Sequence, residues 1–236
     1  MCGRFTQTKE LADLNERFGL TPAGPQVRPR YNLAPGQEAA VVIGQPPRLV
    51  MMRWGLVPPW ADSPSFGYKT INARAETLAE KPVFAGPLRR GRCLVAADGF
   101  YEWQPGGKGR AKKPWWFGLP GRDLFAFAGL WETWAGEEDK KLLSFTIVTT
   151  QANDLIRPVH GRMPAILSPE NELIWLDSGI TDPKQVLSLL RSFPPNKMEG
   201  HPVSPLVNSA QNDSPECLRP AAPEKGLFDW PADGSS

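Results

Sequence analysis

Histidine and cysteine are scarce in this 236-residue chain, with two of the first and three of the second. Cys2, Cys93 and Cys217 are too few and too scattered for a disulfide framework or a thiolate zinc site. His160 and His201 add too little to build a metal centre. No apolar run approaches the roughly 20 residues that span a bilayer, and the polar, charged stretch 4–18 has none of the character of a secretory signal. There is no internal repeat and no interdomain linker. These absences predict a reducing, cytoplasmic setting, no membrane association, no metal and no cofactor. The length suits one large domain over residues 1–218, and the Pro, Ala, Gly, Asp and Ser of 219–236 predict a loosely ordered tail.

A net charge of +2 conceals an asymmetry: residues 1–120 carry a balance of +8 and residues 121–236 a balance of −6. Such polarity suits a basic face for a polyanion, although folding can scatter the charges. Nine tryptophans stand beside those arginines. Single strands of nucleic acid are held by stacking on aromatics together with neutralised phosphates, while aromatics also serve as core.

Residues 8–18 predict a short amphipathic helix with Leu11, Leu14 and Phe18 on one face and Gly19 to end it. The Pro- and Gly-rich stretch 29–36 reads as a loop. Strands are expected at 39–43, 49–53, 92–97, 100–103, 115–118, 124–131 and 143–149, the first two as a hairpin. Ser168-Pro169 and Asp182-Pro183 open helices over 170–176 and 184–191. Strands dominate the middle without a βαβ rhythm. The expected class is α+β, a single domain with a mostly antiparallel, barrel-like or sandwiched β-core flanked by helices.

Four segments carry candidate chemistry. Cys2 follows Met1 directly, and its small side chain permits removal of that methionine. The processed residue would bear an α-amine and a thiol on adjacent carbons. That pair can take an aldehyde twice, as a Schiff base and then as a thiazolidine ring, or act as an N-terminal nucleophile. A plain small residue near a ragged terminus is the alternative. Asn72 and Arg74, two residues apart, share a side of an extended segment, where an amide and a phosphate ligand would act together; Cys2 and Arg4 stand in the same relation. Asn72 as the cap of a helix over 73–81 is the competing reading. Glu102 lies among bulky aromatics in Phe100-Tyr101-Glu102-Trp103, where burial would raise its pKa toward acid–base use; a solvent-facing edge glutamate is the alternative. His160 sits between Arg157 and Arg162 in a proline-restrained loop, as a proton carrier with phosphate ligands or as a structural histidine. Trp54-Gly55-Leu56-Val57-Pro58-Pro59-Trp60 sets two tryptophans around a stiff proline pair, as a stacking wedge or a packed corner; Trp54 is expected in the corner and Trp60 exposed.

With these segments in chain order, the sequence resembles the SOS response-associated peptidase family of abasic-site processing proteins. The resemblance rests on Met1-Cys2-Gly3-Arg4-Phe5, Arg30-Tyr31-Asn32, Ala34-Pro35-Gly36, Trp54-Gly55 and Ile71-Asn72-Ala73-Arg74-Ala75-Glu76-Thr77. It continues through Asp98-Gly99-Phe100-Tyr101-Glu102-Trp103, His160-Gly161-Arg162-Met163-Pro164 and His201-Pro202-Val203-Ser204. Gly161 departs from the acidic residue often found there. The resemblance implies a monomeric enzyme that binds single-stranded DNA at an abasic site and crosslinks it to mature Cys2 by lyase-like Schiff-base chemistry. It also carries a peptidase-like assignment, chiefly autocatalytic release of Met1. Cys2, Asn72, Glu102 and His160 would be catalytic; Arg4, Arg74, Arg162 and Trp60 would contact DNA. A nucleoid-associated location follows if the source is bacterial. Two other classes compete. A glutamine amidotransferase also begins with a processed cysteine, but this chain has no Asn-Gly pair to supply the usual oxyanion hole. A non-catalytic single-strand-binding module would leave Cys2 incidental.

Overall fold

The strands among the described residues form two sheets, and the barrel formed by one of them sets the frame for the site. The computed structural model describes residues 2–20, 24–107, 111–136 and 140–221. In chain order these form β1 (Arg4–Gln7), α1 (Leu11–Phe18), β2 (Arg30–Leu33), β3 (Glu38–Ile43), β4 (Arg48–Trp54) and β5 (Asn72–Arg74). Then come α2 (Pro82–Arg90), β6 (Arg92–Ala97), β7 (Gly99–Gln104), β8 (Lys113–Gly118), β9 (Phe125–Ala135) and β10 (Lys141–Gln151). β11 (Arg162–Pro164), β12 (Ile166–Leu167), α3 (Pro169–Leu176), α4 (Pro183–Leu187) and β13 (Glu199–Pro202) complete the elements used below.

Strand pairing runs β10-β4-β3-β6-β9 and returns from β9 to β10, which closes a five-stranded barrel. All its ladders are antiparallel except β4 with β10. Barrel strands are apolar on both faces because both are covered. Along β3, Val41 and Ile43 join the interior with Phe5, Trp54, Phe127 and Phe145, whereas Ala40 and Val42 pack outward with Leu14, Phe18, Leu88 and Trp175 of α1, α2 and α3. The second sheet, β13-β8-β7-β1-β2, is antiparallel throughout and packs Phe5, Phe100 and Phe117 into the barrel-side core. Gln7 ties the sheets together. Its buried amide donates to the carbonyls of Ala40 (3.0 Å) and Ala96 (2.8 Å) and accepts from the Ala40 N–H (2.9 Å), completing backbone groups as a strand would. The α+β class with a mostly antiparallel barrel-like core therefore holds.

Several local expectations shift. The first helix begins at Leu11, where Glu10 and Asp13 form a reciprocal capping box, and Gly19 ends it in the left-handed region at φ 61°. The stretch expected as a loop contains β2, because the Asp213 carboxylate accepts from the N–H groups of Tyr31 (2.6 Å) and Asn32 (2.9 Å) opposite its pairing with β1. α4 stops at Leu187 instead of 191, its last turn tightening into i→i+3 bonds at Leu189 and Leu190. Arg219 and Pro220, assigned to the tail, are held in place: Ser204 N–H donates to the Arg219 carbonyl at 3.0 Å and Pro220 bridges Val203. Ala221 is held as well, its N–H donating to the Pro202 carbonyl at 2.9 Å, and the rest of the expected tail, 222–236, lies outside the described residues.

Candidate active site at the start of the chain

The site is assembled around Cys2 by elements distant in sequence. Beyond Trp54, β10 exchanges its parallel partner: β4 pairs at Phe145, and β5 pairs at Ile147, Val148 and Thr149 through Asn72, Ala73 and Arg74. Asn72 is thus in extended backbone, and the alternative of a helix over 73–81 is excluded; a single 3₁₀ turn follows at Ala75–Thr77. From β5 the Asn72 amide nitrogen donates to the Cys2 carbonyl at 2.7 Å. The amide oxygen of Asn72 is buried and has no hydrogen-bond partner among the described residues.

Cys2 itself is fully buried, and its thiol donates weakly to the Arg4 carbonyl at 3.6 Å. Burial pushes the thiol pKa far up, and the nearby Glu102 charge raises it further. Glu102 comes from β7, which pairs with β1, so the second sheet carries the carboxylate to the first residues of the chain. Its side chain is buried, and burial lifts its pKa from 4.5 to about 7. A carboxyl in that range can both give and take a proton near neutral pH. The solvent-facing alternative for Glu102 is therefore excluded, since it is only 2 % exposed.

His160 Nδ1 lies 3.8 Å from Glu102 Oε1. The same nitrogen is 3.0 Å from the N–H of Arg162 and 3.1 Å from its carbonyl oxygen. The neutral ring accepts from the first and the protonated ring donates to the second, so one backbone residue serves both protonation states without moving the ring. Burial lowers the His160 pKa. Cys2, Asn72, Glu102 and His160 are thus brought together. Of the expected DNA contacts, Arg74 is exposed and Trp60 is 61 % exposed, with its ring edge-on to Phe66 at 5.1 Å. The loop bearing Trp60 is held by an approach only glycines allow: a Cβ on Gly55, at φ 119°, would stand 2.6 Å from the Gly67 carbonyl oxygen. Trp54 fills the expected packed corner, its ring 5.1 Å from Phe5.

Two arginines expected on phosphates are already engaged. The Arg4 guanidinium donates at 2.9 Å to both Asn32 Oδ1 and the Val207 carbonyl. It clamps the start of β1 against the 3₁₀ turn at Pro205–Asn208, which fixes the residue two before it, Cys2. The signal for this was Asn32 in the Arg30-Tyr31-Asn32 motif, whose amide also donates to the carbonyls of Ser209 (2.9 Å) and Asn212 (2.7 Å). Arg4→Ala should therefore cost about 1–3 kcal/mol of stability by leaving the Asn32 Oδ1 acceptor unmet, while the Val207 carbonyl keeps its bond from the Asn32 amide, read as a lowered Tm. Arg162 is bound bidentately by Glu76, at 2.6 and 2.9 Å.

A cavity of about 720 Å³ between the start of α3 and residues 188–197 contains none of these side chains. Among the described residues no cluster of His, Cys, Asp and Glu could hold a metal, and no helix is long and apolar enough to cross a membrane.

A buried cysteine at position 2 is held by an asparagine and flanked by a neutral-range carboxyl and a histidine, a candidate site at the start of the chain. The family model for SOS response associated peptidase (SRAP) matches residues 1–210, and the chain belongs to that family. It is 46 % identical over 222 residues to the abasic site processing protein YoqW of Bacillus subtilis, spanning 92 % of this chain and 99 % of that one. It is 36 % identical to the abasic site processing protein HMCES of Gallus gallus, over 82 % of this chain and 66 % of that one. Among solved structures, a protein from Bacteroides thetaiotaomicron superposes with a TM-score of 0.84 at 25 % identity, covering 94 % of this chain and all of that one. A phage-related protein from Bordetella bronchiseptica gives 0.67 at 31 % identity, covering 86 % and 94 %.

Proposed function

We propose that this chain processes abasic sites in single-stranded DNA by linking the lesion covalently to Cys2 once Met1 has been removed. The observation that carries the reading is Asn72. One end of its amide grips the Cys2 carbonyl, and the other is a buried acceptor with no partner among the described residues. Such an acceptor costs stability when unmet. The N–H of a processed Cys2 amine is the donor this acceptor would hold. The relatives named as abasic site processing proteins supply the lesion, since the ring-opened sugar of an abasic site is an aldehyde at C1′.

The chemistry then follows from the residues. Glu102, in its protonated form, donates to the ring oxygen of the abasic sugar and takes up the proton of the C1′ hydroxyl as the hemiacetal opens to the aldehyde. The Cys2 amine adds to C1′ and Glu102 returns a proton to the departing hydroxyl, so that water leaves and an iminium forms. The Cys2 sulfur adds to the same carbon as its proton passes to a base, and the thiazolidine closes. The sum is aldehyde plus aminothiol giving ring plus one water. Ring closure consumes the iminium and so suppresses β-elimination of the 3′ phosphate. His160, with a backbone partner for each protonation state, contacts the opened sugar and can return a proton when the ring reverses. Autocatalytic release of Met1 would use the same Glu102 carboxyl.

Arg74, exposed and two residues from Asn72 on the same strand, is assigned to a phosphate, with Trp60 as the ring that separates flanking bases. Arg74→Ala should weaken binding of single-stranded DNA and lower the slope of log affinity against log salt by about 0.7, the value for one phosphate on a single strand. Anisotropy titrations over a salt series measure it. The covalent step is tested on denaturing gels with abasic single-stranded DNA, where a heat-stable shifted species is expected.

A further inference from the structure

The arginine that the site offers a phosphate is already holding an anion. Arg162 Nη1 donates to Glu76 Oε1 at 2.6 Å, Nη2 donates to Glu76 Oε2 at 2.9 Å, and Nη2 also donates to the Thr149 carbonyl at 2.6 Å. This is the planar fork that otherwise grips a phosphate bidentately. The two partners come from the 3₁₀ turn at Ala75–Thr77 and from β11, both secured to the end of β10. The Glu76 side chain is 45 % exposed, while that of Arg162 is 17 % exposed, so the carboxylate covers the guanidinium from the solvent side. Glu76 also feels the charge of Arg74, and its carboxyl is held below its ordinary range chiefly by the hydrogen bonds from Arg162. It stays ionised throughout the neutral range.

We propose that Glu76 is a specificity-determining residue whose carboxylate competes with DNA phosphate for Arg162 and holds down affinity for undamaged single strands. The inference rests on the reading above that single-stranded DNA occupies this site. A phosphate approaching Arg162 must displace a carboxylate of like charge, so the exchange gains little. Arg74, with no carboxylate fork across it among the described residues, still draws the backbone in. An intact strand is then released readily, whereas an abasic strand is retained by its bond to Cys2. Low affinity for ordinary DNA and a covalent hold on the lesion are complementary parts of one selection.

Glu76→Gln tests this, because the amide keeps the shape and removes the charge. Binding of unmodified single-stranded DNA is measured by anisotropy over a salt series, with thermal unfolding recorded alongside. Affinity at low salt should rise about tenfold and the salt slope should steepen by about 0.7, the signature of one further phosphate engaged. In an Arg162→Ala background the same substitution should leave both quantities unchanged. Glu76→Ala, at an exposed position, should give the same rise if the glutamine variant folds poorly. A Glu76→Gln protein with unaltered or weaker DNA affinity overturns the proposal, as does a lowered Tm with an unmoved salt slope. A wild-type chain that binds no single-stranded DNA overturns the parent reading and this one together. Binding that responds as stated in a chain that forms no crosslink overturns only the covalent step.

Discussion

Cys2→Ala should eliminate the heat-stable adduct with abasic single-stranded DNA while leaving an amine that can still attack. Alanine is as small as cysteine, so Met1 should be removed from the variant as well. Its α-amine can form the Schiff base at C1′, but no sulfur is present to close the ring. The iminium then persists, and β-elimination of the 3′ phosphate becomes its outlet. The variant should exchange crosslinking for strand cleavage, and borohydride should trap the intermediate that the wild-type chain converts to thiazolidine. The order of steps follows from burial: a thiol whose pKa is pushed far up holds little thiolate near neutral pH, so nitrogen reacts first and sulfur second. Gels run with and without borohydride distinguish the outcomes. A Cys2→Ala protein that still forms a heat-stable adduct without reductant would mean that another group bonds the sugar.

Glu102→Gln should slow adduct formation by about 10²–10⁴, the range for losing a positioned general acid–base, with noncovalent DNA binding retained. The same substitution should make the protein more stable in mild alkali. Glu102 has its pKa lifted by burial from 4.5 to about 7. Between those values the folded chain keeps a proton that the unfolded chain has lost, so stability falls as pH rises through this window. Above it the charged, buried carboxylate costs about 3 kcal/mol, at about 1.4 kcal/mol for each tenfold change in proton affinity. Glutamine removes that cost. Glu102→Gln should therefore gain roughly 6–12 °C in Tm at pH 8, at about 2–4 °C per kcal/mol for a chain of this size, and gain nothing near pH 4. A site that is destabilised where it works is the expected exchange of stability for activity. A variant that crosslinks at the wild-type rate, or that is less stable than wild type at pH 8, contradicts the role given to this carboxyl.

Strands whose fate is set locally were legible in the sequence. The hairpin expected at 39–43 and 49–53 is β3 and β4 to within one residue at each end, and 92–97 is β6 without change. Val41, Val42, Ile43, Val50 and Val95 are β-formers, and turn signals bound the runs. What the sequence concealed is non-local. β2 lies between prolines and is made a strand by an aspartate at 213. No element was expected at α2, because Gly86 and Pro87 sit in its middle; Phe84 and Leu88 pack against the barrel and override that propensity. The site divides in the same way. Asn72, Glu102 and His160 were named from residue type and neighbours, and the fold gathers them near Cys2. Arg4 and Arg162 were equally visible as cations, but their partners lie at 32, 207 and 76. A positive charge can be read from a sequence; whether that charge is already satisfied depends on the fold.

Intact-mass measurement of the purified chain, before and after exposure to abasic single-stranded DNA, bears most directly on the aminothiol at the terminus. Before exposure the mass should correspond to a chain beginning at Cys2. Afterwards it should rise by the mass of the DNA less one water, and prior acetylation of the terminal amine should abolish that gain. A chain that crosslinks while retaining Met1, or an adduct whose yield is indifferent to acetylation, would contradict the thiazolidine mechanism.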